Sequence, residues 1–331
     1  GQKQRLITAS TLAMGQKIVI LDEPLANLDT AGAEMLMSML KSLAKAGYCI
    51  IVIEHRLDVV LPFVDKVFHV GNRNVNEITD RENYLKEQST EIEDTCSTFS
   101  GTLPAFSLAD VAFSVKDRDI LNGVTFDILK GSRAVLLGEN GCGKTTLLRL
   151  ISRLEKPTRG VILQNIDDKF GQKSKQSKKW YKKVGVVYQN PDYQLFMPTV
   201  EKEIKFGAKS NEYADEIAEK FGIKHLYARH PQSLSEGQKR RVSIAAVVAT
   251  DPEVLILDEP TVGQDYKGLC EMVEVLNRIH EETHNTMITV THDKRCAAAL
   301  CDRAVWIKGG KTYKTGGKEL VDEFFIQIGR N

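Results

Sequence analysis

Residues Gly138-Glu139-Asn140-Gly141-Cys142-Gly143-Lys144-Thr145 match the pattern G-x-x-x-x-G-K-[ST] at every fixed position. The apolar run Ala134-Val135-Leu136-Leu137 precedes them and reads as a buried strand, and Thr146-Leu147-Leu148-Arg149-Leu150-Ile151 follows and reads as a helix. A strand, a glycine-rich loop and a helix in that order commit the chain to an α/β fold built round a polyphosphate site. The chemistry is mainly that of the backbone. Glycines let the loop close tightly, successive N–H groups point inward, and the helix N-terminus favours an anion. Gly138, Asn140, Gly141, Cys142, Gly143, Lys144, Thr145 and Thr146 are the expected cradle. Lys144 would reach the outer phosphates and the Thr145 hydroxyl would ligate Mg²⁺. The implied ligand is a nucleoside triphosphate.

Val254-Leu255-Ile256-Leu257-Asp258-Glu259-Pro260 is an apolar strand ending in two acids. Such acids often do no more than cap a helix. Together with the upstream phosphate loop they predict that Asp258 holds Mg²⁺ through water and that Glu259 polarises the attacking water.

Between the two sites lies Leu234-Ser235-Glu236-Gly237-Gln238-Lys239-Arg240-Arg241. This string resembles the signature motif L-S-G-G-Q of ABC-type ATPases. Val187-Tyr188-Gln189-Asn190-Pro191 is similar to that family's Q-loop, Asp265 to its D-loop, and Thr291-His292-Asp293 to its switch histidine. The motifs fall in the family's order across residues 105–310. The resemblance implies a P-loop NTPase core with a parallel sheet, a small antiparallel β subdomain and a helical subdomain. It implies ATP and Mg²⁺ as ligands, Gln189 as a further metal contact, and His292 beside Glu259 as a catalytic residue. Glu236 replaces the first glycine of the signature, and a carboxylate there repels phosphate unless it turns outward. The family's aromatic on adenine also differs: the expected slot holds Val115, with Phe113 the nearest aromatic and equally a core residue.

Residues 1–71 repeat the later part of that domain. Gly1-Gln2-Lys3-Gln4-Arg5 matches the segment from Gly237 to Arg241, and Ile18-Val19-Ile20-Leu21-Asp22-Glu23-Pro24 matches the strand ending at Pro260. Asp29 corresponds to Asp265 and His55 to His292, at nearly constant spacing. The repeat predicts two nucleotide-binding domains in tandem. The first lacks a phosphate loop and a Q-loop, so the chain is expected to be a fragment cut inside that domain. The expected boundaries are 1–71 for the partial domain, 72–104 for a polar linker with a short helical piece near Tyr84, and 105–331 for the complete domain.

In the resembled family two domains clasp two ATP molecules head to tail. Lys144, Asp258, Glu259, Gln189 and His292 would then act on one ATP. Ser235, Gly237 and Gln238 would cover a second, where Glu23 and His55 would work. Pairing of the two domains within the full-length chain is the expected arrangement.

Composition narrows the partners. A formal charge of +1 gives no sign of a general polyanion binder, so no nucleic-acid partner is expected. Lysines gather between Lys169 and Lys183 with Trp180 and Tyr181 among them, which reads as a solvated loop rather than a nucleic-acid or lipid surface. No apolar run approaches the roughly 20 residues that span a bilayer, so a membrane component would be another chain. The 6 cysteines show no C-x-x-C spacing, against a zinc site or disulfide framework. Cys142, inside the phosphate loop, is either a thiol-sensitive point or simply a small residue that fits.

Tyr188-Gln189-Asn190-Pro191-Asp192-Tyr193-Gln194-Leu195-Phe196, with Thr199-Val200-Glu201-Lys202-Glu203-Ile204, is similar to energy-coupling-factor transporters; Ile53-Glu54-His55-Arg56-Leu57-Asp58 resembles the first half of their fused ATPases. That resemblance implies an importer ATPase at the cytoplasmic face of the cell membrane, serving vitamin or metal-ion uptake. Its partners would be a transmembrane coupling protein and a small substrate-binding membrane protein. Phe196 and Met197 would border the groove for the coupling protein. The alternative is a soluble tandem ABC protein acting on ribosomes, but the Asn-His pair those proteins carry after the acids is replaced here by Leu25-Ala26-Asn27-Leu28-Asp29 and Thr261-Val262-Gly263-Gln264-Asp265. A DNA-repair or structural-maintenance ATPase would need zinc cysteines or long coiled coils, and neither is present.

Overall fold

The computed structural model of the protein describes residues 10, 15–25, 28, 30–71, 73–88, 92, 99–116, 118–166 and 178–328. Residues 1–5, Asp29 and most of the lysine-rich stretch before Lys178 lie outside them. The chain divides into two compact units. One comprises Gly1–Glu91, Gly263–Lys267 and Gln327–Asn331; the larger comprises Ile92–Val262 and Gly268–Ile326.

In the smaller unit β1 (Ile18–Asp22) and β2 (Cys49–Ile53) pair in parallel, with Ile18 opposite Cys49. The intervening helix Thr30–Lys45 buries Ala33, Leu36, Met37 and Leu40, the spacing of one helical face. These pack with Leu25, Leu28, Val59 and Val60 into one apolar cluster. Ile18 and Ile20 on β1 are more than half exposed, and Ile51 and Ile53 on β2 nearly half. The stretch expected to be a linker carries more structure than its polar composition suggested. β3 (Phe68–Gly71) and β4 (Asn74–Glu77) form an antiparallel hairpin with Gly71 opposite Asn74. Every residue of β4 is exposed, so pairing rather than burial makes it a strand, and it leaves no alternating apolar pattern to read. The helix near Tyr84 runs from Arg81 to Gln88.

The larger unit is layered. Its main sheet has six strands in the order β13-β12-β7-β11-β10-β9. These are β9 (Val184–Val187), β10 (Val254–Asp258), β7 (Arg133–Leu137), β11 (Thr286–Val290), β12 (Arg303–Lys308) and β13 (Lys311–Gly316). All neighbours run parallel except β13, which closes the edge antiparallel to β12. β7, β10 and β11 are buried along their whole length, as strands covered on both faces must be. A separate antiparallel sheet, β6-β5-β8, comprises β5 (Pro104–Val115), β6 (Arg118–Leu129) and β8 (Arg159–Gln164). Phe106, Val124, Phe126 and Ile128 from it share a core with Leu136, Leu147 and Ile151. The helical part includes Val200–Lys205, Asn211–Lys220 and Glu236–Val248, which meet through Val200, Ile204, Ile217, Phe221 and Val242. Thr199 and Ser210 cap the first two helices through their side-chain oxygens. The P-loop core, antiparallel subdomain and helical subdomain expected from the sequence are all present.

Trp180 is buried, donates through Nε1 to Gln164 Oε1 at 2.7 Å, and lies under the Arg153 guanidinium at 4.6 Å. Its indole is a core element and offers no free stacking face.

Candidate nucleotide site

β7 ends where the loop begins, and two glycines show why the turn cannot be built otherwise. Gly138 has φ +154, and a Cβ there would lie 2.5 Å from the Ile307 carbonyl oxygen. Gly143 has φ +104, and its Cβ would lie 2.5 Å from Leu121 Cδ2. The loop then enters the helix Lys144–Ile151, whose N-cap residue, Gly143, supplies no side-chain acceptor. The first-turn N–H groups are thus free of a side-chain cap, which suits an anion. Lys144 is buried, and its Nζ donates to the carbonyl oxygens of Gly138 at 2.6 Å and Glu139 at 3.0 Å. Cys142 is half-buried, and burial pushes its thiol pKa up despite nearby Lys144. The thiol is therefore held in its less reactive protonated form.

Facing the loop are the two acids. Thr145 Oγ1 donates to Asp258 Oδ2 at 3.4 Å. Glu259 follows β10 in a left-handed conformation, φ +55, uncommon for a residue with a side chain. Its backbone N–H bonds to Val290 O at 2.8 Å. Its carboxylate accepts from the His292 N–H at 3.2 Å and lies 3.5 Å from His292 Nε2. Desolvation, reinforced by the charge of Asp258, pushes the Glu259 carboxyl up to about 8. Burial also raises Asp258, against the pull of Thr145, Arg240 and Lys144.

A cavity of about 300 Å³ gathers these groups. Asn140, Gly141, Gly143, Lys144, Thr145 and Thr146 line it from the loop and helix. Gln189, Asp258, Glu259 and His292 line it from the ends of the sheet strands. Gly138 and Cys142 stay behind the lining, Gly138 serving as an acceptor for Lys144. Ser235, Gly237 and Gln238 are not among its walls. They open the helix Glu236–Val248, where Ser235 and Gln238 form a reciprocal capping box. Glu236 turns to Lys239, 3.2 Å away, and Lys239 also holds Asp192 at 2.9 Å. The irregular signature carboxylate therefore has a cation partner, shared with Asp192.

Glu23 and His55 belong to the smaller unit, which repeats this local device. Glu23 has φ +45, its N–H bonds to Ile53 O at 2.9 Å, and its carboxylate lies 3.5 Å from His55 Nε2. The hydrogen bond between them lowers the Glu23 pKa and raises that of His55.

Four contributors were missed from sequence, one of them Val290 at the end of β11, which lines the cavity. Arg118 and Ile120, on β6, line the cavity. Arg240 is buried and donates through Nη1 to Tyr188 O at 2.7 Å and through Nη2 to Gln189 O, fixing the backbone that carries Gln189. Its pKa falls to about 10 through burial, with Glu259 and Asp258 opposing the fall. The basic pair Arg240-Arg241 after the signature was the available signal.

Among the described residues no cluster of three or more His, Cys, Asp or Glu side chains could hold a metal. Mg²⁺ needs no such cluster, since it takes one or two hard oxygen ligands from protein and the rest from water and phosphate. Thr145 Oγ1 and Asp258 Oδ2 form a donor pair of that kind.

A strand-loop-helix phosphate cradle, facing two acids at the end of a strand two places away in the same sheet, defines a P-loop nucleotide-binding domain. Residues 121–262 match the ABC transporter family. The chain is 39% identical over 214 residues to the energy-coupling factor transporter ATP-binding protein EcfA2 of Enterococcus faecalis, covering 60% of this chain and 72% of that protein. It is 32% identical over 344 residues to YkoD of Bacillus subtilis, named for HMP/thiamine import, covering 91% of this chain. The chain spans 62% of the length of that relative. The solved structure of cbiO1 from Clostridium perfringens, part of the ABC transporter complex cbiONQ, superposes with a TM-score of 0.60 at 32% identity, covering 69% of this chain and 94% of cbiO1. The chain belongs to the family of ABC transporter ATP-binding proteins.

Proposed function

We propose that the protein binds and hydrolyses ATP to drive a membrane importer of the energy-coupling-factor type. The observation that carries this is the single cavity joining Lys144, Thr145, Gln189, Asp258, Glu259 and His292. Lys144 leaves its carbonyl partners for the outer phosphates. Thr145 and Asp258, with Gln189, hold Mg²⁺, whose chemistry is to neutralise charge on the phosphate oxygens. Glu259 takes a proton from the water that attacks the γ-phosphorus as the bond to the ADP oxygen breaks. His292, held against Glu259, orients that carboxylate. Lys144→Ala removes a charge-assisted phosphate contact and should weaken ATP binding about 10- to 100-fold, read by calorimetric titration.

The repeated acid–histidine device supports a second nucleotide-binding domain, of which the smaller unit is the later part. Paired head to tail with such a domain, Ser235, Gly237 and Gln238 would cover the ATP on which Glu23 and His55 would act.

Two features support docking to a membrane partner. Phe196 and Phe206 pack edge-to-face at 5.3 Å between centroids, yet both are mostly exposed. Buried Glu203 accepts from the N–H groups of Phe196 at 2.9 Å and Met197 at 2.7 Å, holding that loop in place. No described helix is long and apolar enough to cross a membrane. On the importer reading the protein sits at the cytoplasmic face beside a coupling protein and a small substrate-binding subunit. The name of one relative, which includes HMP/thiamine import, supports the vitamin side of the vitamin or metal-ion cargo expected from the sequence. The test is to tag the full-length protein, solubilise membranes gently, and identify what co-purifies by mass spectrometry. Small hydrophobic membrane proteins are expected. Ribosomal proteins with no membrane component would replace this reading with the soluble ribosome-acting one.

A further inference from the structure

A nucleotide has a base as well as phosphates, and the phosphate loop and acids account only for the latter. The cavity's remaining strand-borne wall residues are Val290 at the end of β11 and Arg118 and Ile120 on β6. No Phe, Tyr or Trp lines the cavity among the described residues, and the His292 ring is held beside Glu259. Phe113 packs against the apolar core under the antiparallel sheet, so it is not available as a platform. Val115, which pairs with Arg118 across the strand turn, is 47% exposed and offers no π-face.

Arg118 differs from the other basic residues of the site. Lys144 is engaged by loop carbonyls and Arg240 by Tyr188 and Gln189. Arg118 is exposed at the cavity edge, and its side chain has no hydrogen-bond or ion-pair partner among the described residues. A guanidinium is planar, weakly hydrated and always charged, and it stacks on π-faces where an ammonium does so poorly.

We propose that the Arg118 guanidinium stacks on the nucleobase of the bound nucleotide, with Ile120 packing beside it, in place of an aromatic platform. This rests on the nucleotide-site reading above. Stacking engages the face of the base and leaves its hydrogen-bonding edge unread, so ATP and GTP should bind within about tenfold of each other.

The test compares ATP affinity of the wild-type chain with Arg118→Ala, Arg118→Trp and Arg118→Lys by calorimetric titration, using inorganic triphosphate as the base-free probe. Arg118→Ala should weaken ATP about tenfold, the usual worth of one stacked base, and leave triphosphate unchanged. Arg118→Trp should keep most of the affinity, because it restores a π-face, and Arg118→Lys should not. Rescue by Lys but not Trp, or an equal loss for triphosphate, would show a phosphate contact and overturn the proposal. Unchanged ATP binding in Arg118→Ala would overturn it as well. Lys144→Ala, measured alongside, separates the two failures. If it too binds ATP normally, the nucleotide site itself is wrong; if it alone loses ATP, only the base-stacking role falls.

Discussion

Replacing Glu259 with Gln should lower steady-state ATP hydrolysis by the full-length protein roughly 10²–10⁴-fold while leaving ATP affinity nearly unchanged, since a positioned general base contributes about that much. Gln keeps the length and the oxygen that accepts from the His292 N–H. What it loses is the ability to take a proton. The fold should tolerate the change, because burial and Asp258 already disfavour the charged carboxylate. The variant should therefore accumulate with ATP bound, visible as nucleotide that survives gel filtration. Wild-type turnover would remove Glu259 from the chemistry. Weakened ATP binding with normal turnover per bound nucleotide would make it a binding group instead.

The parts of this site that can be read from sequence are those whose chemistry is local. The phosphate loop needs glycines at fixed intervals because Gly138 and Gly143 occupy backbone space where a Cβ collides, and that demand is visible as spacing. The acids are visible because β10 is a buried apolar run that ends abruptly in charge. The repeat conveyed Glu23 and His55 because the same short device recurs with the same register. Contributions that depend on long-range packing were not legible. Arg240 looks like one charge in a polar string, and only the fold shows it buried against the carbonyls of Tyr188 and Gln189. Arg118 lies on a strand whose irregular register with β5 hides which residues face the cavity. The hairpin of β3 and β4 was missed because its exposed strand follows no alternating pattern.

Asp302→Ala should be among the most destabilising substitutions in the larger unit. Arg133, the first residue of the strand that carries the phosphate loop, is 2% exposed and its partner Asp302 is 8% exposed. The pair is bidentate: Arg133 Nη2 donates to Oδ1 at 2.6 Å and Nε to Oδ2 at 3.3 Å, while the Arg133 backbone N–H reaches Oδ2 at 2.8 Å. Nη1 is occupied elsewhere, by Asn277 Oδ1 at 3.0 Å and Ala299 O at 3.1 Å. Removing the carboxylate leaves a guanidinium buried without its counter-charge and a backbone N–H without its acceptor. Breaking one side of a buried pair costs about 3–5 kcal/mol, far more than an exposed pair is worth. The urea midpoint should fall accordingly, with Asp302→Asn falling less because its amide oxygen still accepts. Replacing both partners with apolar residues, Arg133→Met with Asp302→Leu, should recover much of the loss, since neither charge then remains to be solvated. If the single and double variants fall equally, packing around β7 and not the ion pair carries the stability. If the single variant matches wild type, water reaches Arg133 and the site is not sealed. The consequence for function follows from position: β7 delivers Gly138 to the turn, so a strand start that loosens releases the loop in which Lys144 is set.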